Sequence, residues 1–255
     1  MGIIYLMQPF EELLRIMEDL RSKCPWDKAQ THESLKGYLI EEAYELLDAI
    51  GDDNKLKEEL GDLLLQVVFH AQIAKERGAF DIWDVIRELN KKLVERHPHV
   101  FACETPDEVL KGWEERKLKD KESILDGIPK VLPALLRSQK LQDRASLVGF
   151  DFEKPEQALE KLMEEVEEFK QALALGDIGG LEHELGDLLT AVVEIGRLCG
   201  LNGELCLQKA NNRFESRFRY MERRAKELGR DLKDMSLEEM DRLWIEAKEL
   251  DYKDG

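Results

Sequence analysis

The sequence lacks the features that mark several large classes of protein. It has only four cysteines in 255 residues, and none of them forms a CxxC pair. Unpaired thiols are typical of a reducing compartment rather than of a disulfide-rich secreted domain. No apolar run reaches the length of about 18 residues that a transmembrane helix needs. The first residues carry no basic segment like that of a signal peptide, so we expect a cytoplasmic protein.

Basic residues are scarce relative to acidic ones. The chain has 38 Lys and Arg against 55 Asp and Glu, which gives a formal net charge of -17. Such a surface repels phosphodiester backbones and anionic lipid, so we expect no binding to nucleic acid or membranes. A small anionic substrate is still compatible with this charge, provided that metal ions and a few basic side chains meet it locally.

Strand patterns and the common nucleophile motifs are also missing. The sequence has no GxxxxGKS or GxxxxGKT P-loop, and no Ser-His-Asp or Cys-His arrangement is evident. Apolar residues instead recur with helical spacing, as in residues 40–50, and glycines fall between the periodic runs, as at 51–54 and 176–180. Short connections of this kind join antiparallel neighbours. The sequence therefore predicts an all-α fold built from helical hairpins.

The chain contains an internal repeat. EELGDLLLQVV (58–68) corresponds to HELGDLLTAVV (183–193), and three other pairs of segments keep the same order: 40–50 with 163–173, 90–97 with 211–218, and 112–117 with 243–248. We therefore predict tandem helical domains at 1–123 and 146–255. The linker at 124–145 contains Gly127, Pro129 and Pro133, and a short helix is expected in it from roughly Ala134 to Ala145.

Each copy places an EExxE motif before an ExxD motif. On two antiparallel helices these acids can surround one point, where their mutual repulsion would raise their pKa values unless a cation neutralises them. An all-oxygen ligand set suits Mg²⁺, with Mn²⁺ as a substitute. A single EExxE match is expected by chance in so acidic a chain, but the repeated order is not. The candidate metal ligands are Glu42, Glu45, Glu59, Asp62, Glu165, Glu168, Glu184 and Asp187.

The residues after each ExxD motif are apolar around most of the helix. We therefore expect these helices to be buried, with the acids close to the core and in need of a partner. Gly61 and Gly186, inside the motifs, allow either a close ligand or tight helix packing. Basic residues and a tryptophan follow in both copies. They are either ordinary solvated charges or the groups that meet a polyphosphate and a base.

Five segments together resemble the MazG nucleoside triphosphate pyrophosphohydrolases: CPWDKAQT (24–31), EEAYE (41–45), EELGDLLLQVVFHAQ (58–72), RHPHVF (96–101) and VGFDF (148–152). The resemblance covers essentially the whole chain. It implies an all-α fold completed by homodimerisation, and Mg²⁺-dependent hydrolysis of nucleoside triphosphates, with broad specificity, to nucleoside monophosphate and pyrophosphate.

The resemblance also implies roles for individual residues. The eight acids would bind metal, and Glu41 and Glu164 would orient or deprotonate the attacking water. The residues that would contact the nucleotide are Arg213, Arg217, Trp244 and Lys248, with Lys92, Arg96, Trp113 and Lys117 as their first-copy equivalents. His183 departs from the repeat, since it replaces Glu58. Both acid sets are complete, so we expect both copies to bind metal. The resemblance implies that the second copy carries catalysis, because in some two-domain relatives only the C-terminal domain is catalytic.

Three alternatives remain at this stage. A narrower all-α pyrophosphatase, of the dUTPase or phosphoribosyl-ATP type, would use the same acids. A ferritin-like di-iron bundle would need a Glu-x-x-His on each of two helices, and neither acid cluster contains one. A non-catalytic helical interaction module would explain the acidic charge but not the duplicated motifs.

Overall fold

The computed structural model describes residues 2–101 and 122–251. Every element in those ranges is helical, which confirms the all-α prediction. The chain divides into two compact units, Met1–Arg116 and Lys117–Gly255. The predicted boundaries at 123 and 145 stay predictions. Trp113 and Lys117 lie outside the described residues.

The first unit is built on a hairpin of the helices that carry its acids. Helix α3 pairs with α4, and α1 also packs against α4. Met17, Leu35, Val68, Phe69 and Ile73 form the buried core behind these helices. The helices are α1 (Gly2–Lys23), α2 (Pro25–Ala29), α3 (Lys36–Ala49), α4 (Asp53–Glu76), α5 (Ile82–Arg96) and α6 (Pro98–Phe101).

The second unit repeats the acid-bearing hairpin. Its helices α8 and α9 form the most extensive helix pair, and α7 packs against α9 and α10. Helix α7 is the one expected in the linker; it ends one residue later than predicted and packs within the second unit. The helices are α7 (Ala134–Ser146), α8 (Pro155–Leu175), α9 (Ile178–Leu198), α10 (Gly203–Glu227) and α11 (Leu237–Asp251), with a 3-10 turn at Leu232–Asp234.

A glycine with positive φ reverses the chain in each acid-bearing hairpin. Gly51 has φ +112° and Gly176 has φ +67°, and residues other than glycine rarely adopt such positive φ values. The N–H of Gly176 donates to the carbonyls of Ala172 and Leu173 and so caps α8. These tight turns place EExxE on one helix beside ExxD on the next.

Helices α4 and α9 are buried on one side only, which corrects the expectation of burial around most of their circumference. Leu64 and Val67 are each 41% exposed, and Leu189 and Val192 are 48% and 53% exposed. A Cβ atom added at Gly61 or Gly186 would meet nothing within 4 Å. Packing within the described chain therefore does not require glycine there. No described helix is long and apolar enough to cross a membrane.

The core that supports α4 gives a stability prediction. Met17 is 1% exposed and Ile16, its neighbour on α1, is 50% exposed. We expect Met17→Ala to lower the free energy of unfolding by about 2–5 kcal/mol, because it leaves a cavity behind α4. Ile16→Ala is the matched control and should cost less than about 1 kcal/mol. Urea unfolding followed by circular dichroism measures both, and equal costs would contradict the core assignment.

Candidate functional site

The first copy brings three carboxylates together across the α3–α4 hairpin. Oxygen atoms of Glu42, Glu45 and Glu59 all lie within 4.8 Å of one another. Asp62 lies near enough for its charge to raise the pKa of both Glu42 and Glu59. The structure thus gathers the four acids that the motif spacing predicted as one group.

Burial and electrostatic repulsion raise the pKa values of two carboxyl groups in this cluster. Partial burial, followed by the charges of Asp62 and Glu45, raises the pKa of Glu42. Partial burial, followed by Glu45 and Asp62, likewise raises the pKa of Glu59. A hydrogen bond with Gln66 acts in the opposite direction on Glu42. Because both shifts favour the protonated form, the cluster carries more negative charge than its surroundings stabilise.

The second copy forms the corresponding cluster across α8 and α9. Oxygen atoms of Glu165, Glu184 and Asp187 lie within 4.8 Å of one another. Partial burial, and then the charges of Glu165 and Glu184, raise the pKa of Glu168. Glu165 is only 6% exposed. Oε2 of Glu184 is buried and has no hydrogen-bond partner among the described residues.

Among the described residues, a lysine pairs with acids of the second cluster and none pairs with those of the first. Nζ of Lys161 lies 2.8 Å from Glu165 and 3.0 Å from Glu164, and these hydrogen bonds raise the pKa of Lys161. The aligned position in the first copy is Tyr38. His183, which departs from the repeat, lies 3.3 Å from Asp187. The two clusters therefore share their acids but differ in their neighbours.

Both clusters fit a hard divalent cation. Their donors are carboxylate oxygens alone, which Mg²⁺ and Mn²⁺ prefer and zinc does not require. A bound cation would also reverse the raised pKa values and give the buried oxygen of Glu184 a partner. The residues that would hold it are the eight acids predicted from the sequence.

The predicted nucleotide-contact residues lie on other helices. The guanidinium carbon of Arg217 is 5.6 Å from the centre of the Trp244 ring, and the Phe214 ring lies 5.2 Å from it. Arg213 and Lys248 are exposed on the same two helices, α10 and α11. In the first copy Lys92 is exposed and Arg96 is half-buried on α5. Their equivalents Trp113 and Lys117 lie outside the described residues.

Sequence reasoning missed Gln66 and Lys161, which contact the clusters, and a histidine pair in the first unit. Gln66 is 5% exposed, and it was visible as the only polar residue within the apolar run of α4. Lys161 carried a weaker signal, one turn before Glu165. Nδ1 of His32 lies 2.8 Å from Nδ1 of His70, with the rings stacked. That pair joins residues 38 positions apart, so no local pattern could reveal it.

Repulsion in the first cluster gives a prediction for Glu59→Gln. The folded-state pKa of Glu59 is raised above its ordinary value of 4.5, so its repulsion is fully present above the raised pKa and is relieved as pH falls. At pH 7.5 without divalent cations, the variant should therefore unfold at a higher temperature than the wild type. This difference should shrink as the pH approaches 4.5. Thermal unfolding followed by circular dichroism measures it.

The same measurement with Mg²⁺ completes the test. The wild type should gain more thermal stability from the ion than Glu59→Gln does, because the variant has lost a ligand. Glu58→Gln is the matched control, since Glu58 is the smallest influence on Glu59 and lies outside the cluster. A variant that is less stable than the wild type without metal would contradict the repulsion.

Comparison with known proteins agrees with this geometry. Residues 30–101 and 153–228 match the MazG nucleotide pyrophosphohydrolase domain, so the domain occurs twice. Both matched ranges contain one complete acid cluster.

Full-length relatives extend the likeness beyond the two domains. The chain is 49% identical to the nucleoside triphosphate pyrophosphohydrolase/pyrophosphatase MazG of Thermotoga maritima, over 94% of this chain and 95% of that protein. It is 45% identical to the nucleoside triphosphate pyrophosphohydrolase of Escherichia coli K12, over 95% and 98% of the two chains. An uncharacterized protein of Bacillus subtilis, YabN, is 46% identical over 97% of this chain and 53% of its own length. The chain therefore belongs to the MazG nucleotide pyrophosphohydrolase family.

Proposed function

We propose that this protein is a Mg²⁺-dependent hydrolase that converts nucleoside triphosphates to nucleoside monophosphate and pyrophosphate. The observation that carries the proposal is the convergence, in both copies, of carboxylates from two helices to within 4.8 Å. Pyrophosphohydrolase activity is also supported by the names of the full-length relatives. Mn²⁺ is proposed as a substitute ion because it accepts the same oxygen ligands.

The chemistry that a bound ion supplies here is neutralisation of phosphate charge and a lower pKa for a coordinated water. The chain's own contribution is to fix the carboxylates that hold the ion and to position a base. Glu164 is held by Lys161 next to Glu165 and is more than half exposed, so it can accept a proton from an attacking water. Glu41 is its exposed first-copy equivalent. Attack at the α-phosphorus then expels pyrophosphate.

The proposal includes the basic residues of α10 and α11 as contacts for the nucleotide. Arg213, Arg217 and Lys248 carry positive charge on an otherwise acidic protein, and a guanidinium can pair with phosphate oxygens in a bidentate manner. Arg217 is also placed against Trp244. Lys92 and Arg96 would serve the first copy, together with Trp113 and Lys117.

We propose broad nucleotide specificity in preference to a dUTPase-like or phosphoribosyl-ATP activity, since relatives over the full length are named for nucleoside triphosphates generally.

A homodimer is part of the proposal. Helix α4 exposes Leu60, Leu64 and Val67, and α9 exposes their counterparts Leu185, Leu189 and Val192, each 41% to 53% exposed. The same apolar stripe thus recurs in both copies. A second chain that packs there would bury it, and the open space beside Gly61 and Gly186 would admit a close helix.

We also propose a cytoplasmic location without nucleic-acid or membrane partners, because the net charge of -17 disfavours both.

Product analysis in isotopically labelled water tests the reaction. With ATP and Mg²⁺, the label should appear in AMP and not in pyrophosphate, because water attacks the α-phosphorus. Glu168→Gln should lower turnover by at least about 100-fold, more than the loss of an outer-shell partner usually costs. Glu45→Gln should lower it less, because the second copy is proposed to dominate. Mass spectrometry and ion-exchange chromatography measure both.

The control for the second copy is Glu167→Gln, an exposed acid on the same helix that pairs with Lys170. It should retain wild-type turnover. ADP and phosphate as products would show that the phosphate placement is wrong. Full activity in a chain that carries both Glu45→Gln and Glu168→Gln would show that these carboxylates are not needed for the reaction.

Size-exclusion chromatography with light scattering tests the dimer. The wild type should have twice the mass of one chain, and Leu64→Asp combined with Leu189→Asp should shift it towards a single chain because charges would be buried in the interface. Leu175→Asp is the matched control, since Leu175 is 83% exposed and lies outside both stripes. A single-chain mass for the wild type, or equal dissociation of the control, would contradict the proposal.

A further inference from the structure

A cavity of about 450 Å³ lies beside the second acid cluster. It is bounded by α7, α8, α9 and the loop that joins α7 to α8. Its size is within the range of about 300 to 1,000 Å³ that is usual for small-molecule sites. Glu165 and Asp187 form part of its wall. A molecule whose phosphate lies at these carboxylates can therefore extend directly into the cavity.

The remaining wall of the cavity is mostly apolar. Small side chains, Ala158 and Ala191, leave space between the helices, and both are buried. The rings of Phe150 and Phe152 close the cavity from the loop side. Phe150 is 82% exposed, so most of its ring is available to a ligand. Aromatic rings beside a narrow apolar space suit a planar heterocycle.

An ion-pair network fixes the loop that carries the two rings. Asp151 lies between Phe150 and Phe152 in the sequence and pairs with Arg197 of α9. Arg197 also donates to Glu194, from Nε at 3.1 Å and from a terminal nitrogen at 2.6 Å. Glu194 is buried and lines the cavity. Its charge is therefore compensated, and the loop is attached to the helix that carries Glu184 and Asp187.

One polar side chain on the wall has an unused acceptor. Nε2 of Gln142 donates to the carbonyl of Thr190 at 3.0 Å, which fixes the orientation of the amide. Oε1 of Gln142 is buried and has no hydrogen-bond partner among the described residues. An unpaired buried acceptor is unfavourable, so a ligand that brings an N–H group beside it would be stabilised. Amino groups on the edge of a nucleobase are donors of this kind.

The first copy differs at the corresponding positions. Gln66 stands where the second copy has Ala191, and Phe69 stands where it has Glu194. Both are buried, and Phe69 belongs to the hydrophobic core. Trp26, which precedes Asp27 as Phe150 precedes Asp151, has its ring centre 5.9 Å from that of Tyr38. At the position of Ala191, a small side chain that opens the space in the second copy, the first copy thus has a larger one.

We propose that this cavity binds the nucleobase of the substrate of the second copy, with Phe150 and Phe152 against its ring. The inference rests on the proposed function, because the carboxylates that would hold the phosphates form part of the cavity wall. It leaves Trp244, already in contact with Arg217 and Phe214, to meet another part of the nucleotide. It also assigns nucleotide preference to residues of the second copy that differ from those at the corresponding positions of the first.

Equilibrium binding tests the cavity without relying on turnover. Isothermal titration calorimetry with Mg²⁺ compares AMP with ribose 5-phosphate, which has no base. Phe150→Ala should weaken AMP binding by about tenfold, the effect of losing one base-stacking contact. Ala191→Gln, which introduces the first-copy residue, should weaken it at least as much by filling the cavity. Neither variant should change the binding of ribose 5-phosphate.

Val148→Ala is the matched control, since Val148 is 66% exposed on the same loop but does not line the cavity. It should bind AMP as the wild type does. Unchanged AMP binding in both test variants, or equal weakening of AMP and ribose 5-phosphate, would overturn the inference. A dimer that dissociates on Phe150→Ala with unchanged AMP affinity would assign the ring to a protein contact instead.

The result separates the inference from the proposed function. Base-dependent AMP binding without hydrolysis of any nucleoside triphosphate would retain the cavity as a nucleotide site and reject the reaction. Hydrolysis to AMP and pyrophosphate with a KM that neither variant changes would retain the reaction and reject the cavity as the base site.

Discussion

Repulsion among carboxylates that cannot move apart is the constraint on which this structure depends. Each acid cluster draws its members from both helices of a hairpin, and a tight turn with a positive-φ glycine fixes the separation of those helices. In the first unit a buried core also fixes the helix behind the acids. Burial and then this repulsion raise the pKa values of Glu42, Glu59 and Glu168. A bound cation would relieve this repulsion, so the ion proposed for the reaction would also stabilise the fold.

The two copies differ in the residues that contact their acid clusters and in what occupies the space beside them. In the first, Gln66 lies against Glu42 and the region behind is filled by core side chains such as Phe69. In the second, Lys161 compensates Glu165, and alanine at the place of Gln66 leaves a cavity beside the acids. Both copies thus keep the charged cluster, whereas the space beside it is filled by side chains in the first copy and is a cavity in the second. This difference is a physical reason to expect catalysis to be concentrated in the second copy.

The sequence predicted the features that follow from spacing. The periods of the apolar residues predicted helices, and the repeated EExxE and ExxD motifs predicted which acids lie close together on facing helices. The sequence did not predict that Leu64 and Leu189 are exposed, because an apolar run looks the same whether its cover comes from this chain or from another. The His32–His70 contact and the pairing of Arg197 with Asp151 depend on tertiary packing between distant residues. The cavity could not be predicted either, since it arises from small side chains on three separate helices.

Direct measurement of metal binding tests the central claim, that each acid cluster is a cation site. Titration of the protein with Mn²⁺, followed by electron paramagnetic resonance of the free ion, gives the number of ions bound per chain at neutral pH. The account predicts at least one ion per copy, with the ions of the first copy lost in Glu45→Gln and those of the second lost in Glu168→Gln. If a chain with both substitutions binds as many ions as the wild type, with the same affinity, the ions lie on the general acidic surface and the account is wrong.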